Sequence, residues 1–150
     1  MNRKNVLAVG VSLTMMSLMF GLHYGAYGSC LLQPDYQVHD LWCSDTSASV
    51  GTLVQVGDVI TNTCKSTAVP TTTRIYISTN ASQLMCIWDF HSTPGLAKNG
   101  SATWSNTLEI PACAVPGVTN FIICVADATG LISENLENNN RDSIAIFISP

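Results

Sequence analysis

Charge is scarce in this 150-residue chain, and positive charge is scarcest: six Lys and Arg stand against ten Asp and Glu, a formal net charge of −4. A surface so poor in cations offers no basic patch to neutralise phosphates, which argues against nucleic acid and anionic lipid as partners. Histidine is nearly as rare, with His23, His39 and His91 the only three. A Ser, His and Asp set can be assembled on paper from Ser92, His91 and Asp89. Adjacent strand residues point to opposite faces, however, and the chain has no Gly-x-Ser-x-Gly elbow, so an enzyme is not expected. Nor does the chain contain a close Cys-x-x-Cys-like pair, the spacing by which structural zinc draws two ligands from one turn. After Cys30 there is no stretch with apolar residues at helical spacing.

The N-terminus is apolar. Arg3 and Lys4 precede an uncharged run from Val6 to Leu22, and Ala26-Tyr27-Gly28 puts small residues where a signal peptidase reads. Residues 1–28 are expected to be a signal peptide. The length of the run also suits an uncleaved anchor, and Tyr27-Gly28-Ser29-Cys30 a degenerate lipoprotein site with Cys30 lipidated. Any membrane contact is expected through this segment alone. Each reading puts residues 29–150, enough for one domain with one core, outside the cytoplasm. Loss of Arg3 and Lys4 with a leader would carry the net charge from −4 to about −6. Six cysteines agree with export: Cys30, Cys43, Cys64, Cys86, Cys113 and Cys124, spread along the chain, are expected to form disulfides.

Short alternating runs rich in Val, Ile, Thr and aromatic residues recur with turn residues between them, an all-β pattern. Strands are expected at Tyr36 to Cys43, Leu53 to Thr63, Thr71 to Ser78, Leu84 to Phe90, Ala102 to Ile110, Asn120 to Ala126 and Asp142 to Ile148. In the first, alternation puts Tyr36, Val38, Asp40 and Trp42 opposite Gln37, His39, Leu41 and Cys43. Seven such strands suit a seven-stranded antiparallel β-sandwich following the N-terminal signal helix. Phe121 to Ala126 is apolar on both faces and is expected at the centre of its sheet. Ser49-Val50-Gly51, Thr79-Asn80-Ala81-Ser82, Lys98-Asn99-Gly100-Ser101 and Pro116-Gly117 supply the turns.

Together these elements resemble the bacterial cell-adhesion-related domain, CARDB, a sandwich of the immunoglobulin and fibronectin type III kind. Pro34-Asp35-Tyr36-Gln37-Val38 is similar to the family's opening, Arg74-Ile75-Tyr76-Ile77-Ser78-Thr79 to its third strand, and Gly100-Ser101-Ala102-Thr103 to its fifth. Its most specific element is the close, Asp127 followed by Glu134-x-x-Glu137-x-Asn139-Asn140. Cys64 stands where the family usually has glycine, and six cysteines are unusual for it. The resemblance implies an immunoglobulin-like fold and an accessory surface module for adhesion or protein binding. By analogy with the immunoglobulin bridge between second and sixth strands, it pairs Cys64 with Cys124.

Two readings attach to the close. Asp127, Glu134, Glu137, Asn139 and Asn140 could supply the oxygen ligands of calcium, or they could hydrogen-bond the backbone of a long interstrand loop. The aromatic residues Trp42, Trp88, Trp104, Tyr36 and Tyr76 divide likewise between a ligand face and the core. His39 and His91 read as ordinary strand residues. The expected function is an extracellular, disulfide-stabilised adhesion or binding module that recognises a protein or glycan at the cell surface, or copies of itself. The alternatives are a filament subunit joined by strand exchange, with Ser29 to Tyr36 as donor, and an accessory or inhibitory subunit of a secreted enzyme.

Overall fold

Alternating side chains, one set apolar, force each strand to bury one face, and two sheets packed face to face satisfy all of them. The computed structural model describes residues 33–64 and 67–150; the expectations for residues 1–28, Cys30 and the first part of the donor segment fall outside them. The elements are β1 (Tyr36–Cys43), β2 (Ser47–Ser49), β3 (Leu53–Asn62), β4 (Thr71–Ser78), β5 (Cys86–Thr93), β6 (Ser101–Glu109), β7 (Thr119–Val125) and β8 (Arg141–Ser149). One sheet runs β1-β3-β6 and the other β2-β8-β7-β4-β5. The sandwich is as expected, and β7 is the central strand of the larger sheet.

Eight strands replace the expected seven. The addition, β2, is only three residues long and pairs in parallel with the end of β8, Ser47 opposite Phe147, while all other pairings are antiparallel. So short and polar a segment has no period to detect. A second departure lies in β1, where the register with β3 slips between Val38 and Asp40. This bulge at His39 moves Leu41 onto the inner face and leaves Asp40 exposed. The alternation read from sequence therefore holds only as far as Val38.

The core between the sheets is aliphatic: Val54, Val56 and Ile60 from β3, Ile75 and Ile77 from β4, Ile122 from β7, and Ile146 and Ile148 from β8, all at most 1% exposed. Each such side chain contributes about 1.5–3 kcal/mol when fully buried. Tyr36 is also fully buried, and its hydroxyl donates to the Pro94 carbonyl (2.9 Å) and accepts from the Leu96 N–H (3.3 Å). Three of the aromatic residues serve the core: Tyr36 lies within it, and Trp88 and Trp104 pack against the aliphatic cluster, whereas Tyr76 is buried outside that cluster. Trp42 lies across Gly57, where an added Cβ would come within 2.5 Å of the indole ring.

The cysteines depart from expectation. Cys86 and Cys113 form a disulfide joining the start of β5 to the turn after β6, and Cys64 is also disulfide-bonded. Cys43 and Cys124 are free thiols, so neither belongs to the disulfide set and the pairing of Cys64 with Cys124 is wrong. Cys124 sits near the end of β7 on its inner face, wholly buried, with Asp58 rather than sulfur facing it across the sandwich. Cys43 ends β1 in the opposite sheet, half-buried beside Ser44 and Asp45.

Peptide mapping without reduction should recover Cys86 linked to Cys113, with Cys124 alkylated only after denaturation. A peptide joining Cys64 to Cys124 would contradict this architecture.

Candidate functional site

Three places gather polar or exposed chemistry. The first is the connection between β7 and β8, which folds back over the start of β1. Asp127, at φ +42°, accepts the Leu131 N–H on Oδ1 (3.1 Å), the Ile132 N–H on Oδ2 (2.9 Å) and the Thr71 hydroxyl. Glu134 accepts the Tyr36 N–H on Oε1 (2.9 Å) and the Asn140 amide on Oε2. Glu137 takes the Glu134 N–H (3.0 Å), and Asn139 donates to both oxygens of Asp35, which also accepts the Leu136 N–H and the Thr63 hydroxyl. Asp35 and Glu134, on either side of the Tyr36 N–H, thus strap the loop to β1.

A calcium ion at this place would find two buried amide oxygens without a partner among the described residues, Oδ1 of Asn139 and Oδ1 of Asn140, but would compete for the carboxylates. A cation would have to displace N–H and O–H donors already aimed at Asp127, Glu134 and Glu137, and no three His, Cys, Asp or Glu side chains converge among the described residues. The backbone-bonding reading is the one the hydrogen bonds support. Burial pushes the Glu134 carboxyl up to about 7; the Tyr36 N–H and the Asn140 amide oppose that rise without cancelling it.

The second place is interior and escaped the sequence reading. Asp58 is fully buried on the inner face of β3, between Val56 and Ile60. Its Oδ2 lies 2.8 Å from Nε2 of His91 on β5, and the imidazole stacks on Trp104 of β6 with centroids 4.4 Å apart. Oδ1 has no hydrogen-bond partner. The Cys124 thiol beside this acid is held well above its usual range, chiefly by burial and then by the Asp58 charge. A nucleophile is activated by a base that lowers its pKa, and the neighbour here is a carboxylate that raises it. Asp58, His91 and Trp104 instead tie the open edges of the two sheets together, one turn of a seam that also includes the Cys86–Cys113 disulfide and the bond from Trp88 Nε1 to the Glu109 carbonyl (2.7 Å). Ser92 is exposed, and Asp89 bonds the Phe90 N–H and Asn106, so Ser92, His91 and Asp89 do not come together.

The third place is the outer face of β4 and β5. Ile87 and Phe90 stand 54% and 67% exposed and, with Thr72, Arg74 and Thr129, line an open groove of about 360 Å³. Phe90 is the cross-strand partner of Arg74. Alternation in β4 gave Arg74 its outward direction, but the same rule would put Phe90 on the face of Cys86 and Trp88. The register slip of β5 at Trp88 turns Phe90 outward beside Ile87, and the pairing of β4 with β5 sets it next to Arg74.

The CARDB family model matches residues 33–143. The chain belongs to the CARDB family. Among solved structures, it is similar to a CARDB domain from Pyrococcus furiosus crystallised with di-metal ions, at 17% identity and TM-score 0.62 over 78% of this chain and 94% of that one. It is also similar to a domain of a protein assigned to the cell surface of Methanosarcina acetivorans, at 12% identity and TM-score 0.58 over 78% and 93%. A β-glucosidase of Erythrobacter marinus matches at 13% identity and TM-score 0.54, over 77% of this chain but 15% of the enzyme. At these identities the likeness concerns the CARDB fold alone. No curated protein matches the sequence.

Two measurements test the buried acids. Because the folded pKa of Glu134 is raised from 4.5 to about 7, the folded state holds a proton the unfolded chain releases between those values. Its contribution to stability is therefore greatest at acid pH and is lost as pH rises through about 7. Glu134→Gln should gain on the parent protein by as much as about 1.4 kcal/mol per pH unit across this window in urea melts, and a pH-independent difference would refute the assignment. Removing the Asp58 partner with His91→Ala should cost about 3–5 kcal/mol, because it strands a buried charge. Adding Asp58→Val, which restores the aliphatic alternation of β3, should recover most of that loss; a double variant no more stable than His91→Ala would show that the pair is not what His91 supplies.

Proposed function

We propose that this CARDB domain works outside the cell as a non-enzymatic module that recognises a protein partner through the outer face of β4 and β5. The observation that carries the reading is the placement of Ile87 and Phe90, two large apolar side chains exposed side by side on a strand whose opposite face is anchored to the other sheet. Exposed apolar side chains grouped on a rigid element are the usual core of a protein contact. The likeness to the Methanosarcina domain supports a surface location. Glycan recognition has less support, since Trp88 and Trp104, two of the three tryptophans that could stack on a sugar, pack against the core.

Strand exchange into a filament is disfavoured by the edges themselves. On β5 the Phe90 N–H is taken by Asp89 Oδ1 (2.8 Å), on β6 the Thr107 N–H by Asn106 Oδ1 (2.9 Å), and on β8 the Ser143 N–H by Asp142 Oδ1 (2.7 Å). The remaining edge, β1, is bent by its bulge. Charged residues, occupied donors and bulges are how sheets refuse a further strand. Tyr36, at the end of the supposed donor segment, already pairs with Asn62 of its own sheet. An accessory subunit of a secreted enzyme would use the same face and differ only in what the partner does.

Immobilised protein exposed to surface extract of its own organism should retain a partner that Phe90→Ser releases, weakening binding by about tenfold or more, as loss of a central apolar anchor does. Leu53→Ser, a change at an equally exposed site on β3, should retain it. Equal retention by Phe90→Ser and the parent would overturn the assignment of this face.

A further inference from the structure

Arg74 differs from the other described cations. Arg141 is spent on the carbonyls of Ala81 and Ser82, holding the loop after β4, and Lys98 lies in an exposed turn away from the groove. Arg74 has no hydrogen bond or ion pair among the described residues, yet it lines the groove beside Phe90 and Ile87. The groove wall contains no acid; its other members are Thr72 and Thr129. On a chain with ten acids and six bases, a guanidinium left without a carboxylate, half-buried and flanked by apolar side chains, is unusual.

We infer that the groove takes a protein segment in which an apolar side chain stands next to an Asp or Glu, the apolar group resting on Ile87 and Phe90 and the carboxylate meeting Arg74. This rests on the proposed function and specifies the chemistry of the partner. Charge complementarity selects the occupant. A planar guanidinium offers a carboxylate two parallel N–H donors, and the apolar walls on either side lower the local dielectric and strengthen that bond. A neutral glycan would leave the guanidinium desolvated and unpaired, which costs affinity. The flanking hydroxyls of Thr72 and Thr129 are short and uncharged, so they leave room for the carboxylate without competing for Arg74.

The full domain is titrated with the capped tripeptide Leu-Phe-Glu and with its Leu-Phe-Gln counterpart, following the methyl signals of Thr72, Ile87 and Thr129. The acidic peptide should shift these signals saturably and bind about tenfold more tightly than the amide, as a charge-assisted pair predicts. Arg74→Gln should abolish that preference while leaving affinity for the glutamine peptide unchanged. Glutamine keeps an aliphatic stem opposite Phe90, and an unchanged Cys86–Cys113 bridge and urea midpoint would check that the variant folds as the parent does. Equal affinity for the two peptides, shifts confined to other parts of the domain, or a self-associated dimer dissolved by Phe90→Ser would each overturn the inference. If surface-extract binding still depends on Phe90 while the charge preference is absent, the face survives as a recognition surface and the acidic partner does not.

Discussion

Buried backbone amides need acceptors, and the long passage from β7 to β8 would leave many of its own unpaired. The chain answers with carboxylates. Asp127 collects the amides of the first turn, Glu137 that of Glu134, and Asp35 that of Leu136, while Glu134 reaches back to the first amide of β1. The start of β1 is thereby fixed against the loop. Tyr36, held at that point, sends its hydroxyl through the end of the sandwich to Pro94 and Leu96. The pairing of Tyr36 with Asn62, and the register of β3 beyond it, rest on this knot. So the motif that marks the family at the sequence level is a fastening device: its carboxylates accept backbone and side-chain donors, while the buried Oδ1 atoms of Asn139 and Asn140 are left without a partner among the described residues.

The frame was largely legible because it rests on local pattern. Alternation located six of the seven strands to within a residue at each end and set the other, β5, two to three residues early, and apolar character on both faces placed β7 at the centre. What escaped has identifiable causes. The inserted residue of a bulge is indistinguishable from any other, so His39 reversed the faces of the second half of β1 without leaving a mark in the sequence. Cysteine count favoured full pairing, yet Cys124 occupies an inward position on the central strand, where a thiol packs as a small apolar group. Asp58 did leave a signal: an acid at the inward position of Val54-Gln55-Val56-Gly57-Asp58-Val59-Ile60 has to find a partner across the interior. That partner lies in β5, and no sequence spacing connects β3 to the edge of the opposite sheet.

The two faces of β5 divide the work between them. Its inner face carries the seam, with a disulfide at Cys86, an indole bond at Trp88 and the Asp58 pair at His91, each reaching the other sheet or the turn that follows it. An edge strand attached only through its backbone ladder would fray, whereas one fastened at three points along its length holds its outward side chains in place. Reduced motion before binding lowers the entropy lost on binding, which is where much of the free energy of a small contact goes. The cost of a buried acid and its partner is then offset by order at the surface behind them.

The same reasoning underlies the proposal that recognition falls on a face rather than an edge. An edge able to accept a foreign strand accepts nearly any strand, since backbone groups carry no sequence information; β5, β6 and β8 each spend a side-chain oxygen on closing theirs. A face discriminates through side chains. Under the proposed recognition, Phe90 and Ile87 would supply contact area and Arg74 the local charge, so that binding would depend on the order of apolar and acidic groups in the partner. In a chain this poor in cations, one unpaired guanidinium is enough to distinguish this face from the rest of the surface.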